Sequence, residues 1–513
     1  MNYKLLGKIL GKIMVLEGVL MLAPLIVSII YSEGMIGILS FALPAAVLLM
    51  IGIALQFLRP SRAFLYQKEG FALVAFVWVI MGVFGAFPFV INGDIPNYVD
   101  AFFEIISGFT TTGASIIDDI TVISHSSLFW RSFSHWIGGM GILVFVLIFI
   151  PESNDGSSMH LLRAESPGPQ VGKIVSKMKV TTRILYLIYL GLTVLEVIFL
   201  LFGKPLEGYE SEHLFFSVLT AFGCAGTGGF GFVPGSMELM SPYTQYVIAT
   251  FLFLFGVNFS LYYLILIGKV REALKSQELR FYGIAIFLSI VFIFVSLLAR
   301  FDDYPQAYTV EEMFRHSYFQ VASIITTAGF STTDFNVWPM LARMILIVLM
   351  FSGAMAGSTA GGMKLSRFII AVKGIYVNIR KLINPRYVPK AKLEGKNLEE
   401  KTVNDVFTFA TLYLFIIIAF LIILAFDPVN LDTVSITSDA GTYEVEHGFL
   451  TNFSAILACL SNIGPGFEAV GAYASYSGFS AFSKLALSFA MLLGRLEILP
   501  VLILFNHRTW KKT

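Results

Sequence analysis

Residues 314–335 read FRHSYFQVASIITTAGFSTTDF. The stretch begins with helix-compatible residues, turns at Gly329 and continues into a polar segment of Ser and Thr. Its helical part is too short to cross a bilayer, which takes about 20 mostly apolar residues. Three further stretches repeat the pattern: AFFEIISGFTTTGAS (Ala101 to Ser115), HLFFSVLTAFGCAGTGGFG (His213 to Gly231) and FLTNFSAILACLSNIGPGFEAVG (Phe449 to Gly471). Gly113, Gly329 and Gly464 align directly. The second copy offers Gly226, Gly228 and Gly229, and the Gly-Phe-Gly there favours Gly228 or Gly229. A single copy would read as an ordinary glycine turn. Four copies on one side, each between two long apolar segments, predict re-entrant helices around a pore.

Those long segments number ten: Ile13–Tyr31, Met35–Phe57, Phe71–Ile91, Leu128–Ile150, Ile184–Phe202, Tyr243–Ile267, Phe281–Ala299, Leu341–Val372, Val406–Phe426 and Phe482–Phe505. The loops between them alternate in charge. Lys4, Lys8, Lys12, Arg59, Arg62, Lys68, the run from Arg163 to Arg183, Lys269 to Arg280, Lys373 to Lys401 and Arg508 to Lys512 mark one side. Acids such as Glu33, Asp94, Asp118, Glu207 and Asp302 mark the other. The positive-inside rule then puts both termini in the cytoplasm, and an even number of spans agrees. No small-residue cleavage site follows the first apolar segment, so it is expected to remain as a span.

Composition supports this reading. Of 513 residues, 56% are hydrophobic and 13% charged, against about 25% charged in soluble domains. The mean hydropathy is +0.78. The expected fold is an all-α membrane protein with pseudo-fourfold pore repeats. The chain divides into two leading spans (1–68) and four repeats at 69–165, 166–280, 281–400 and 401–513. A net charge of +1 gives no sign of nucleic-acid binding. Cys224 and Cys459 lie in apolar segments and read as small buried residues, with neither a disulfide framework nor metal-ligand spacing.

Four glycine turns at membrane depth suit a dehydrated cation. Backbone carbonyls can replace its water, and glycine reaches the conformations this demands. The negative ends of the short helices favour a cation over an anion. The turns carry no ring of Asp or Glu, so carbonyl ligation points to an alkali ion. Asp118, Asp119, Asp302, Asp303, Glu311 and Glu312 lie in outer loops, where they either enrich cations at the mouth or are simply solvated.

The ordered set TTTGAS, TTAGFSTTDF, SNIGPGF, WIGGMGILV (Trp136 to Val144), GSTAGGMK (Gly357 to Lys364) and GRLE (Gly494 to Glu497) resembles the Trk/Ktr/HKT potassium-transporter superfamily, specifically its Trk-type membrane subunit. The resemblance covers nearly the whole chain. It implies a channel-like filter with one glycine per loop, formed here by Thr111, Thr112 and Gly113; Thr227, Gly228 and Gly229; Thr327, Ala328 and Gly329; and Asn462, Ile463 and Gly464. In that superfamily, glycine in all four loops accompanies potassium preference, whereas serine in the first loop of plant relatives accompanies sodium permeation. Gly113 therefore implies potassium as the transported ion, with no cofactor. The resemblance further implies a homodimer in the cytoplasmic (inner) membrane, bound to a separate cytosolic nucleotide-binding, TrkA-like regulator.

The segment FSGAMAGSTAGGMK, from Phe351 to Lys364, interrupts a long apolar run with Gly353, Gly357, Gly361 and Gly362. Each glycine costs about 1 kcal/mol in a helix interior, which predicts a broken, flexible segment; close helix packing through small residues is the alternative. The resemblance implies that Ser358, Thr359 and Lys364 belong to an intramembrane gating loop. It is not a phosphate loop, because Met363 occupies the required Lys position. Arg495 lies within the last span, where a charge faces a cavity or a partner. It reads either as a positive barrier to cations or as a partner of Glu468 or a loop carbonyl, and the resemblance favours the gate. Glu17, Glu104 and Glu196 are assigned to packing or interfacial positions, and His135 to a satisfied structural role. Two other classes rank lower. A secondary transporter would favour inverted repeats, whereas these are parallel, and the sequence contains no convincing catalytic set for an enzyme. The basic stretches Glu152–Arg183 and Lys373–Lys401 fit either docking surfaces or simple control of topology.

Overall fold

Apolar residues run through Tyr3–Leu20 and Leu22–Ile30, then through Gly34–Gln56, and these helices pack as an antiparallel pair. Their approach is closest where Gly11 meets Gly52: a Cβ on either residue would lie 2.7 Å from the other's carbonyl oxygen. Small residues permit such contact in a membrane, where dispersion takes the place of hydrophobic attraction between helices. The computed structural model describes residues 2–60, 66–141, 178–300, 308–384, 390–430, 432–439 and 441–496, with scattered positions as far as 510.

Four units follow the pair. In the first, the span Gln67–Asn92 leads to the short helix Tyr98–Phe109 and then to His125–Gly139. The indole of Trp130 donates to the Gly85 carbonyl at 3.0 Å and pins the outer helices together. The second unit comprises Met178–Leu201, the short helix His213–Gly226, and Pro242–Phe255 with Phe259–Leu266. The third comprises Gln277–Leu298, Val310–Ile325, Met340–Phe351 and, after a loop, Leu365–Ile383. The fourth comprises Glu400–Leu424, Phe449–Ser461 and Ala481–Leu496.

The short helices have 12, 14, 16 and 13 residues, or about 18–24 Å at 1.5 Å per residue. That is less than the roughly 30 Å hydrocarbon core. Their starts are marked locally. The Asn97 side chain accepts from the Val99 amide, and Thr309 forms a reciprocal capping box with Glu312.

Among the described residues, six helices are long and apolar enough to cross a membrane, or seven if one bent pair is counted as a span. The bent pair falls on an expected span. Tyr243–Ile267 is not straight, because Pro242–Phe255 and Phe259–Leu266 meet at 90°. The side chain of Asn258 accepts from Ser260 N–H at 2.8 Å and starts the second helix afresh. Leu341–Val372 is likewise broken around residues 352–364. The ends of Leu128–Ile150 and Phe482–Phe505, most of Glu152–Arg183, part of Lys373–Lys401, and Asp302, Asp303 and Glu497 lie outside the described residues.

Two hairpins are found among the described residues. Thr433–Ser438 pairs antiparallel with Gly441–Glu446, and its Val434 and Ile436 line a cavity. Lys392–Leu393 pairs with Lys396–Asn397 through Glu394 and Gly395, both at positive φ, as a two-residue turn of matching twist requires. The Glu394 carboxylate accepts from the amides of Gln277 and Glu278 at 2.8 and 3.3 Å, capping the helix Gln277–Leu298.

Candidate pore and gate

Each short helix ends in the same way. Thr111, Thr227, Thr327 and Asn462 take the left-handed conformation, at φ 56°, 54°, 59° and 56°. The next residue closes the turn: Thr112, Gly228, Ala328 and Ile463 donate to the carbonyls of Ser107, Gly223, Ser323 and Ala458, each at 2.8 Å. Such closures are ordinarily built on glycine. Left-handed backbone costs an L-residue about 1–2 kcal/mol, and for β-branched Thr it is an outlier. The same strain at four corresponding positions is what a shared functional constraint produces.

One residue further on stand Gly113, Gly229, Gly329 and Gly464. In the second turn it is Gly229 that takes the position corresponding to Gly113, Gly329 and Gly464. A Cβ on Gly113 would lie 2.7 Å from Gly229 N; one on Gly229, 2.6 Å from the carbonyl carbon of Gly329. A Cβ on Gly329 would meet the Ile463 oxygen, and one on Gly464 would lie 2.7 Å from the Thr112 oxygen. Each glycine faces the next loop and the fourth returns to the first, so the loops close a ring. Gly113, Gly329 and Gly464 have φ of 82°, 87° and 97°, whereas Gly229 is not at positive φ. The other glycines of that loop answer a different neighbour: a Cβ on Gly228 would sit 2.5 Å from Cγ of the His135 ring, and one on Gly226 would sit 2.6 Å from the His135 carbonyl carbon.

Beneath the ring lies the loop 352–364. Gly353 N–H donates to Met363 O at 2.8 Å, closing the loop's neck. The loop docks into the 90° bend of the second unit, with Met355 N–H on Gly256 O at 3.2 Å and Phe259 N–H on Gly357 O at 3.0 Å. Ser358 Oγ donates back to Met355 O at 2.7 Å, and the ammonium of Lys364, fully buried, donates to Ala360 O. Gly357 and Gly362 are at φ 76° and 65°. The loop also touches the strained positions above it. Gly361 N–H donates to Thr327 Oγ1 at 2.6 Å, and a Cβ on Gly361 would lie 2.7 Å from Ser461 O and 2.8 Å from Asn462 Cβ. Gly353 and Gly362 thus serve close approach within a folded loop, and Gly361 serves its approach to the fourth turn.

Arg495 joins the same layer. Its guanidinium donates to Thr111 Oγ1 and Thr359 O, both at 3.1 Å, to Gly139 O at 2.9 Å and to Gly138 O. Loop carbonyls are among its partners, and Glu468 is engaged elsewhere, accepting from Thr451 Oγ1 at 3.1 Å. Gly138 and Gly494 occupy matching places, each lying over the end of its own short helix, against Phe109 O and Leu460 O.

Sequence reasoning missed three side chains. Glu278, nearly buried, accepts at one oxygen from Ala356 N–H at 2.8 Å and Ser366 N–H at 3.1 Å, holding the loop on both sides. Glu104, assigned to packing, is fully buried and ion-paired with Arg131 at 2.8 Å. It also accepts from Ile116 N–H at 2.9 Å, while Arg131 donates to Gly231 O at 3.1 Å and to Ser115 Oγ at 3.3 Å. Contacts between distant segments leave no local sequence signal. Breaking a buried pair by removing one partner costs about 3–5 kcal/mol. Glu104→Ala is therefore expected to lower unfolding stability by about that amount, with Glu104→Gln milder, as thermal unfolding in detergent would register. Glu17 and Glu196 are fully buried rather than interfacial, as are Cys224 and Cys459.

On the side of the ring away from the loop 352–364 is a cavity of about 500 Å³ that touches all four ring glycines as well as Asp118, Val434 and Ile436. Asp118 accepts from Ser477 Oγ at 2.8 Å. The exposed carboxyl of Asp119 is held below the usual range by the Thr121 hydroxyl and amide, so it stays charged at neutral pH. Glu311 and Glu312 instead pair with Arg315, each at 3.6 Å.

A sequence profile of the TrkH family, described as cation transport proteins, matches residues 39–512. The chain belongs to the TrkH family. Within it, the chain is 32% identical to the Trk system potassium uptake protein TrkH of Salmonella typhimurium, over the full length of both chains. It is 29% identical to the Trk system potassium uptake protein TrkG of Escherichia coli, over 96% of this chain and 95% of that one. The crystal structure of the potassium transporter TrkH from Vibrio parahaemolyticus superposes with a TM-score of 0.83 at 29% identity, covering all of both chains. Family membership and the apolar helices make this a multi-pass membrane protein.

Proposed function

We propose that this chain takes up potassium across the cytoplasmic membrane through the ring of four glycine turns. The loop 352–364 and Arg495 act as its gate, and both termini lie in the cytoplasm. The observation that carries the reading is the closed ring: four equivalent turns, each glycine backed onto the next loop. Carbonyls held at that spacing replace the hydration shell of a monovalent cation, and the helix ends behind them add negative potential. Ions move passively down their electrochemical gradient. The basic loops support the orientation.

The gate assignment draws on contact between layers. Thr111 and Thr327, at the base of the ring, bond Arg495 and Gly361 respectively. A positive group and a folded loop directly below the ring oppose cation passage. Relatives are named as parts of a Trk system, which supports a cytosolic nucleotide-binding regulator of the TrkA kind acting on a homodimer of this chain.

The test is rubidium uptake into proteoliposomes containing the purified protein, competed with potassium or sodium. Potassium is expected to block uptake far better than sodium. Equal competition would replace the reading with a weakly selective cation pore. Uptake that requires a proton or sodium gradient would replace it with ion-coupled transport.

A further inference from the structure

The helix His125–Gly139 runs between the first and second turns of the ring and carries two side chains one helical turn apart, Arg131 and His135, which share a face. Arg131 braces the outer side of both loops, reaching Ser115 beyond Gly113 and Gly231 beyond Gly229. Its guanidinium also lies over the Phe230 ring, 4.1 Å from the centroid. His135 occupies the inner side.

Three contacts define the place of His135, which is fully buried. Its Nδ1 lies 2.8 Å from Gly108 O, in the last turn of the first short helix. A carbonyl only accepts, so Nδ1 carries the proton. The ring packs on Phe230, with centroids 4.3 Å apart. Its edge stands where a side chain on Gly228 would be, with 2.5 Å from an added Cβ to Cγ and 2.6 Å to Cε1. The other nitrogen, Nε2, is buried without a hydrogen-bond partner among the described residues. Thr111 N–H donates to the same Gly108 carbonyl at 3.0 Å. One side chain thus bonds the carbonyl that anchors the first turn and presses on the residue preceding Gly229 in the second.

We propose that His135 is a positioning residue that fixes the distance between the first and second turns of the ring and so sets how well the pore discriminates potassium from sodium. The inference rests on the filter reading given above. Close-packed interiors feel a change of even one methylene and relax in part around a deleted side chain, so removing the imidazole lets Gly228 and the carbonyls beside it shift into the vacated space. A ring that can relax fits the smaller sodium ion better. This also accounts for the glycine content of CAGTGG: Gly226 and Gly228 leave room for His135, while Gly229 alone belongs to the ring.

The experiment compares wild type, His135→Ala, His135→Asn, Gly228→Ala and the double variant Gly228→Ala with His135→Ala, in the full-length protein. Rubidium uptake into proteoliposomes is competed with potassium and with sodium, and size-exclusion profiles are recorded for each protein. His135→Ala is expected to lower potassium-over-sodium discrimination roughly tenfold, the scale of one mispositioned contact, while uptake persists. His135→Asn, which keeps a donor at the δ position, is expected to retain most of the discrimination. Gly228→Ala is expected to suppress uptake because its methyl meets the imidazole, and the double variant is expected to recover it. His135→Ala with unchanged discrimination overturns the proposal, as does a change in uptake rate alone. Should His135→Ala fail to fold, failure of the well-folded double variant to recover uptake overturns it instead. A wild-type protein that does not discriminate sinks the filter reading and this inference with it; discrimination retained equally by wild type and His135→Ala sinks this inference alone.

Discussion

Gly113→Ser is expected to reduce potassium-over-sodium discrimination by roughly five- to thirty-fold, the equivalent of the 1–2 kcal/mol that a left-handed conformation costs a residue with a side chain. Gly113 is at φ 82°, and its missing Cβ would fall 2.7 Å from the backbone nitrogen of Gly229. The serine cannot take this conformation without strain, nor can its Cβ be placed without moving the second loop. Either response displaces backbone of the proposed filter. The measurement is potassium and sodium competition against rubidium uptake. Gly93→Ser provides the control: Gly93 is at φ 86° with open space around its missing Cβ, so it carries similar backbone strain away from the ring and is expected to leave the ratio alone. An unchanged ratio in well-folded Gly113→Ser would remove the first turn from the filter.

Arg495→Ala is expected to raise uptake at least about tenfold, since charge-assisted hydrogen bonds contribute about 1.5–3 kcal/mol each and several hold this side chain in place. The substitution frees Thr111 Oγ1 and Thr359 O, loosening the loop from the ring, and removes a positive charge from beneath it. Trimming Gly357–Gly361 is expected to act in the same direction, because it deletes the Thr359 contact and the Gly361 bond to Thr327. Potassium-over-sodium discrimination should hold in both variants, which separates an opened gate from a damaged filter. Arg495→Lys keeps the charge but loses the planar fork, and its flux should fall between. Initial rates of rubidium uptake decide the matter: equal rates in wild type and folded Arg495→Ala would show that Arg495 is a structural tie only.

The short helices and their glycines were legible because the signal is local. Each helix is too short to span, each ends in a turn, and the copies reinforce one another. Arg495 and the loop at Gly353–Gly362 stood out because a charge and a run of glycines are both costly within a membrane helix. What stayed hidden depends on partners distant in sequence. The constraint on Gly228 comes from His135, whose ring excludes any side chain there. The pair Glu104 and Arg131 was invisible for the same reason, as was Glu278, whose partners Ala356 and Ser366 lie far along the chain. The bend at Gly256–Asn258 was concealed by a continuous apolar run, which periodicity cannot divide.

In a ring assembled from four identical subunits, a side chain that leans toward the axis is present four times. Four guanidinium groups there would crowd and repel one another, so such a ring has no way to place a solitary cationic bolt across its path. Here the quadrants are written separately in one polypeptide. Gly138 and Gly494 hold matching positions over their short helices, yet the next residue is Gly139 in one quadrant and Arg495 in the other. The arginine reaches across to the Gly138 and Gly139 carbonyls. Covalent continuity thus releases the molecule from its own rotational symmetry: the backbone ring stays fourfold in geometry while the elements beneath it become singular.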